Sequence, residues 1–308
     1  MPQFYLKAWD DDARTVENAY VFCLQEGEIR RSKVRNVGAE NHFYRLRELN
    51  DKDVRLIREL AIADSPERLK AVHEQLVWSF SLPHSTRKKL QASGHATPEL
   101  LASVDNVIAE MNENLHTSIE EDFKPFLDSM RAGDLSFYSE RPSAAVFFRG
   151  IAAQYLRTNQ MKKARTIWKA NEFEAFERIA NVLVHIYAIN LGHSLYADRE
   201  RYKISLLDNA TEVPFVTADQ PVINIASNPK ETKPPDKFEL YYPLSATRAM
   251  LLVEPASKHL PNSSSVTPMS AHLYNLHMGA HSHQQIFAST PQELDSLRSE
   301  LPAFSSCF

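Results

Sequence analysis

The chain has 308 residues, 43% of them hydrophobic and 24% charged, with a formal net charge of −4. That length can bury one large core or two, the apolar content excludes wholesale disorder, and the acidic balance excludes a surface coated in the positive potential that holds nucleic acid non-specifically. Cys23 and Cys307, near opposite ends, cannot build a disulfide framework and read as free thiols. No apolar run nears the roughly 20 residues of a membrane span, and Met1-Pro2-Gln3-Phe4-Tyr5 has no secretory pattern, so the expected address is the cytoplasm, without a membrane partner.

Tyr20-Val21-Phe22-Cys23-Leu24 and Ile29-Arg30-Arg31-Ser32-Lys33-Val34 are β-favouring runs around a turn that carries Gly27, which predicts a hairpin. From about Asp51 to Tyr196 the apolar spacing becomes helical, with Asp51, Ser65, Thr97 and Thr117 as expected N-caps and six or seven helices between them. Ile119, Phe123, Phe126, Leu127 and Met130 form one buried stripe that Gly133 should end, and Ile179, Val182, Leu183, Ile186 and Ile189 form another. After Tyr202 the pattern turns to short strands: Lys203–Leu207, Pro214–Thr217, Phe238–Tyr242 and Ala249–Val253. Long loops are expected over Ser227–Lys237 and Glu254–Pro268, then a helix from Met269 to Ala288 and a last one from Pro291. The expectation is an α+β fold in one domain, residues 1–308. A layer of six to nine helices, mainly residues 51–196, packs on a mostly antiparallel sheet from residues 16–36 and 202–254, and helices over about 269–304 close the chain.

Four stretches carry a resemblance. Pro2-Gln3-Phe4-Tyr5-Leu6, Gln154-Tyr155-Leu156-Arg157-Thr158, Phe215-Val216-Thr217-Ala218-Asp219-Gln220-Pro221-Val222 followed by Tyr242-Pro243-Leu244-Ser245, and Asn275 occur in that order over nearly the whole chain. Glu40-Asn41-His42-Phe43-Tyr44 adds a fifth piece. In this the sequence resembles the bacterial family catalogued as domain of unknown function 4238. The resemblance implies a fold and a set of candidate positions, and it supplies no substrate. Members place a histidine shortly before the opening proline; this sequence starts at Met1-Pro2 without it, so a reaction that needed it would be incomplete here or would draw on an earlier start.

Gln154 lies inside or beside the apolar face marked by Phe147, Phe148, Ile151, Ala152 and Tyr155, where an unsatisfied amide costs on the order of 1–3 kcal/mol. It therefore belongs either to a hydrogen-bond network or to a site wall in which Arg157 grips an anion bidentately. From Arg157 to Lys169 five basic residues occur without an acid, which suits either a docked anion or a solvated helix face. Asp219 ends a predicted strand, as an Asx turn or as a presented carboxylate. Glu120 borders the stripe of Phe123 and Leu127, as a first-turn acid or as a carboxyl of raised pKa. His277 and His281 share a helical face with His283 nearby, a spacing that can ligate zinc, but neither a glutamate between them nor a cysteine cluster completes a metal motif. Arg178, Asn181 and His185 loosely resemble the spacing of helical ribonucleases of the HEPN type. No phosphate-binding loop or nucleophile elbow occurs.

The reading these residues suggest is a hydrolase acting on an anionic, phosphate-bearing substrate, a nucleotide or nucleic acid. Glu120 and Asp219 would be its acid–base or metal-binding pair, Arg157 its anion clamp, and Gln154 and Asn275 its orienting amides. No particular cofactor is implied, a divalent metal being the one compatible with that pair. The alternatives are a non-catalytic binding or regulatory component of a bacterial defence or toxin-like system, and a helical ribonuclease acting through Arg178 and His185.

Overall fold

The computed structural model describes residues 2–10, 12–37, 48–156, 170–229, 236–260 and 263–306. Those residues form eight helices and two four-stranded antiparallel sheets, an α+β fold. In chain order they are α1 (Gln3–Leu6), β1 (Tyr20–Gln25), β2 (Glu28–Lys33), α2 (Asp51–Ile57), α3 (Glu67–Ala92), α4 (Pro98–Ala132), α5 (Arg141–Leu156) and α6 (Ala170–Ala197). Then follow β3 (Lys203–Asp208), β4 (Thr217–Ala218), β5 (Ile223–Asn224), β6 (Leu240–Ser245), β7 (Arg248–Val253), α7 (Pro268–His281), β8 (Gln285–Ala288) and α8 (Pro291–Ser306). None of the described helices is long and apolar enough to cross a membrane.

The chain divides into two compact units. The first comprises Met1–Glu40, Lys124–Ala144 and Ala197–Phe308 and holds both sheets. The predicted hairpin is β1 and β2, closed by Glu26 and Gly27 at φ of 52° and 80°. A two-residue turn with positive φ at both positions matches the right-handed twist of its strands. The first sheet runs β2-β1-β8-β4 and the second β3-β7-β6-β5.

One expected helix is corrected here. The run from Met269 is helical only to His281, and Gln285–Ala288 is β8, the inner strand that joins β1 to β4. Ile286, Phe287 and Ala288 are all buried, and an apolar run of three residues carries too little periodicity to separate strand from helix. Thr267 starts α7 with a capping box to Ser270 and Pro268 in the first turn. Gly279 lets α8 approach, since a Cβ there would stand 2.7 Å from Leu301.

The second unit comprises Asn41–Phe123 and Ala145–Tyr196 and is helical where it is described. Asn50, one residue before the expected Asp51, caps α2 through a capping box with Asp53. Ser65 does not cap α3, which begins after Pro66; instead its hydroxyl donates to the Ala61 carbonyl. Thr97 accepts from Leu100 N–H at the start of α4. Thr117, expected to open a new helix, lies inside α4, because nothing between Pro98 and Ala132 breaks the backbone ladder and Pro125 is tolerated within it. Both predicted stripes are buried, at Phe123, Leu127 and Met130 on α4 and at Ile179, Val182, Leu183 and Ile186 on α6. Gly133 ends α4 at φ 87°, with Asp134 N–H reaching back to Ser129 O as a helix-ending glycine requires.

Gly150 on α5 is where α4 comes closest, for a Cβ there would lie 2.2 Å from a Phe123 ring carbon and 3.0 Å from its Cβ. Phe123 is itself packed against Phe147 and only 2% exposed, so it has little room to yield. Gly150→Ala should therefore destabilise this unit by about 1–3 kcal/mol through overpacking, read as a lower denaturant midpoint at unchanged slope. A neutral or stabilising result would show that the helices separate freely.

Candidate functional site

The first unit gathers most of the sequence signature around one buried hydroxyl. Tyr5, 1% exposed, donates from Oη to the Pro243 carbonyl at 2.6 Å and bonds Thr217 Oγ1 at 2.8 Å. Its ring stacks on Tyr242, and Trp9 Nε1 donates to the Phe215 carbonyl at 2.9 Å. Arg131 from the end of α4 donates to the carbonyls of Leu244 and Tyr5. Burial pushes the Tyr5 phenol well above its ordinary pKa and pulls the Arg131 guanidinium down, so the phenol stays protonated and donating.

Asn275 and Asp219 belong to the same frame. The Asn275 carbonyl accepts from Val216 N–H, while its amide donates to Pro214 O and to the buried Glu293 carboxylate. Asp219 accepts from three successive backbone amides, those of His283, Gln284 and Gln285, at 2.8, 2.7 and 3.3 Å. It thereby holds the turn from α7 into β8, with the carboxylate as the local anchor.

In the second unit, Gln154 on α5 is 4% exposed and Glu120 on α4 is half-buried. Gly150, four residues before Gln154, faces Phe123, three residues after Glu120. Two of the five candidates thus lie in each unit. Arg157, Thr158, the basic run to Lys169, the stretch Glu40–Tyr44 and Cys307 lie outside the described residues. Cys23 is a buried free thiol, its pKa pushed up to about 11 by burial and by Asp219.

Arg178 and His185, the ribonuclease candidates, are both engaged within the helical unit. Arg178 forks onto buried Asp53 through Nε and Nη2 at 3.0–3.2 Å. His185 bonds Asn112 Oδ1 at 2.7 Å, lies 4.6 Å from the His116 ring and is 4% exposed.

A second polar cluster, mostly outside the candidates chosen from sequence, lies between β6 and α7. Glu239, 5% exposed and immediately before β6, accepts from His259 Nδ1. A buried carboxylate accepts only, so Nδ1 carries the hydrogen and the lone pair of the neutral ring sits on Nε2. The His277 ring lies 6.3 Å from that of His259 and 6.5 Å from that of His281. His281 contacts Ser227 Oγ at 3.2 Å, and Tyr274 donates from its hydroxyl to the His259 carbonyl. Burial, reinforced by His281, His259 and Lys258, pulls the His277 pKa down to about 4.

His277 and His281 were visible as an i, i+4 pair. Glu239 gave one signal, a lone acid inside the apolar run Phe238–Tyr242, and His259 gave none because a loop residue has no period. Among the described residues no three His, Cys, Asp or Glu side chains stand where they could share a metal ion.

The assembly of Tyr5, Thr217, Pro243 and Asn275 into one node agrees with a match to the family model described as "Protein of unknown function (DUF4238)", which covers residues 1–292. The chain belongs to that family. No curated protein and no solved structure matches it. Within this DUF4238 chain the signature residues of the first unit are largely those that hold β4, β6 and α7 together.

Two outcomes follow. Tyr5→Phe should cost about 1–3 kcal/mol by stranding the Pro243 carbonyl and the Thr217 hydroxyl, measured by denaturant unfolding; a neutral result would remove Tyr5 from the frame. His185, whose pKa burial lowers to about 4, is neutral in the fold, so the unfolded chain binds more protons between pH 6.5 and 4. Its contribution is intact above pH 6.5 and is lost as the pH falls towards 4, on the order of 3 kcal/mol in all. His185→Phe should flatten that acid slope in a stability–pH series, and an unchanged slope would place the titration elsewhere.

Proposed function

We propose that this protein is a hydrolase of phosphate-bearing substrates whose acid–base group is His259, positioned by Glu239. The observation that carries the reading is the buried carboxylate on His259 Nδ1, which fixes ring orientation and leaves Nε2 as the reacting nitrogen. Nε2 accepts a proton from a water that attacks phosphorus. The P–O bond to the leaving group breaks, and the departing alkoxide takes the proton held on His259 Nε2, so ester and water become alcohol and phosphate and the ring returns to its neutral form. Glu239 stabilises the positive charge formed on the ring as the proton arrives. Lys258, adjacent to His259, brings a positive charge that supports an anionic substrate.

In this reading the acid–base work moves from the pair Glu120 and Asp219 to His259; the Asp219 carboxylate accepts from three backbone amides, and Asn275, the expected orienting amide, bonds Val216 N–H, the Pro214 carbonyl and Glu293. Those same bonds favour the second reading, a non-catalytic binding or regulatory component, in which the signature serves folding alone. The engagement of Arg178 by Asp53 and of His185 by Asn112 gives the ribonuclease reading no support.

The full-length protein should hydrolyse para-nitrophenyl phosphate, its bis-ester or a nucleoside monophosphate. His259→Gln should lower kcat by roughly 10²–10⁴, and Glu239→Gln should lower kcat with KM unchanged, both at wild-type melting temperature. No turnover by the wild type, or full turnover by His259→Gln, would favour the binding component.

A further inference from the structure

We propose that Tyr274 is a positioning residue for His259: its hydroxyl holds the His259 main chain to α7 and so completes the fixing of a ring whose Nε2 is kept for the reaction. The inference deepens the hydrolase reading and rests on it for the chemistry, whereas the fixing of the ring is measurable without turnover. A histidine offers its N–H, its carbonyl and two ring nitrogens for hydrogen bonding. The His259 N–H donates to Ser257 Oγ at 3.0 Å, Nδ1 donates to the buried Glu239 carboxylate, and the carbonyl accepts from Tyr274 Oη at 3.3 Å. Among the described residues those are its hydrogen bonds, and Nε2 takes part in none of them.

The three bonds do different work. Ser257 belongs to the same loop, and with Ser257 N–H on the Glu254 carbonyl and Leu260 N–H on the Ser257 carbonyl it shapes a local turn. Only bonds that leave the loop decide where that turn stands. Among the described residues, the hydrogen bonds that tie residues 255–260 to the rest of the unit both end on His259, one at Glu239 and one at Tyr274. Glu239 holds the ring and Tyr274 holds the main chain, with the two side-chain torsions of the histidine between them. Released from Tyr274, the loop can swing about the Glu239 contact and carry Nε2 with it.

The hydroxyl is a firm anchor because the groups behind it are fixed. The Tyr274 ring stacks on Tyr241 of β6 at 4.8 Å and meets Phe215 edge-on at 6.3 Å. The next residue, Asn275, bonds Val216 N–H and the Pro214 carbonyl, which pins this turn of α7 to the β4 frame. Burial pushes the Tyr274 phenol up to about 12, so it stays protonated and donating wherever an imidazole works as a base. Glu239 is seated as firmly, its N–H on Asn224 Oδ1 and its carbonyl accepting from Ile225 N–H. Such support matters to a general base, since a misplacement of about 1 Å costs on the order of 10² in rate.

Tyr241 supplies the matched comparison. It is the other half of the stack, yet its buried hydroxyl bonds none of the described residues. Tyr274→Phe and Tyr241→Phe each remove one hydroxyl from the same pair of rings, and only the first removes a bond to His259.

The test combines turnover of para-nitrophenyl phosphate with nitrogen-15 relaxation of the full-length protein. Tyr274→Phe should lower kcat roughly ten- to a hundredfold with KM unchanged, and should lower the order parameters of residues 257–260 while the melting temperature stays close to that of the wild type. Tyr241→Phe should leave both kcat and order at their wild-type values. Should Tyr274→Phe fold poorly, Ser257→Ala, which frees the N–H of the same histidine, is expected to lower kcat and order in the same direction. Wild-type order at His259 in Tyr274→Phe, or a loss no greater than that in Tyr241→Phe, overturns the proposal. Loss of order at His259 in a protein whose wild type turns over no phosphate ester would confirm the fixing of the ring and sink the hydrolase reading instead.

Discussion

The buried hydroxyl of Tyr5 is the point on which the sheet-bearing unit depends. It ties Thr217 of β4 to the carbonyl of Pro243 in β6, so one side chain near the start of the chain bonds to a strand of each sheet. Such a bond adds about 1 kcal/mol net, yet removing it strands buried partners at greater cost. Proline at 243 has no N–H to give the ladder, and its carbonyl accepts the Tyr5 hydroxyl. Asn275 repeats the device on the other side of β4, where its amide group answers both Val216 N–H and the Pro214 carbonyl. Backbone that β4, only two residues long, cannot satisfy by ladder pairing is satisfied by side chains from distant sequence.

This explains why the signature residues were legible and their role was not. Tyr5, Thr217, Asp219, Pro243 and Asn275 stand out as polar or special residues within apolar runs, and such residues are either functional or answering buried backbone. Sequence alone leaves that choice open, because the partners of Asp219 are the amides of residues 283–285, more than sixty positions away. Helix stripes, by contrast, declare themselves within a dozen residues, and those of α4 and α6 were read correctly. The strand β8 failed for the complementary reason: only three residues separate its four from the end of α7, and their place between β1 and β4 makes them extended.

The Glu239–His259 pair was hidden for a topological reason. Glu239 enters β6 from one side, His259 lies on the loop that leaves β7, and His277 and His281 come from the helix beyond that loop. The β6–β7 hairpin returns the chain to its own starting end, so residues twenty apart meet across it. A reader of periodicity sees a stray acid, a loop histidine and a helical pair; the hairpin makes them neighbours.

What distinguishes this cluster from the Tyr5 node is how its hydrogen bonds are filled. Around Tyr5 and Asn275 the side chains bond backbone groups, the Thr217 hydroxyl and the Glu293 carboxylate, so little of their capacity is left for a guest. At β6 and α7 the bonding is one-sided. Glu239 takes one nitrogen of His259 and directs the other away from itself, and the Tyr241 hydroxyl finds no described acceptor. Burial holds the His277 pKa down to about 4, with the His281 ring 6.5 Å away. Groups in that condition cost stability unless another interaction repays them. Tyr241, whose hydroxyl meets no described acceptor, and Glu239 stand two residues apart at the start of β6, and the imidazole that Glu239 orients is the physical ground on which the hydrolase proposal rests.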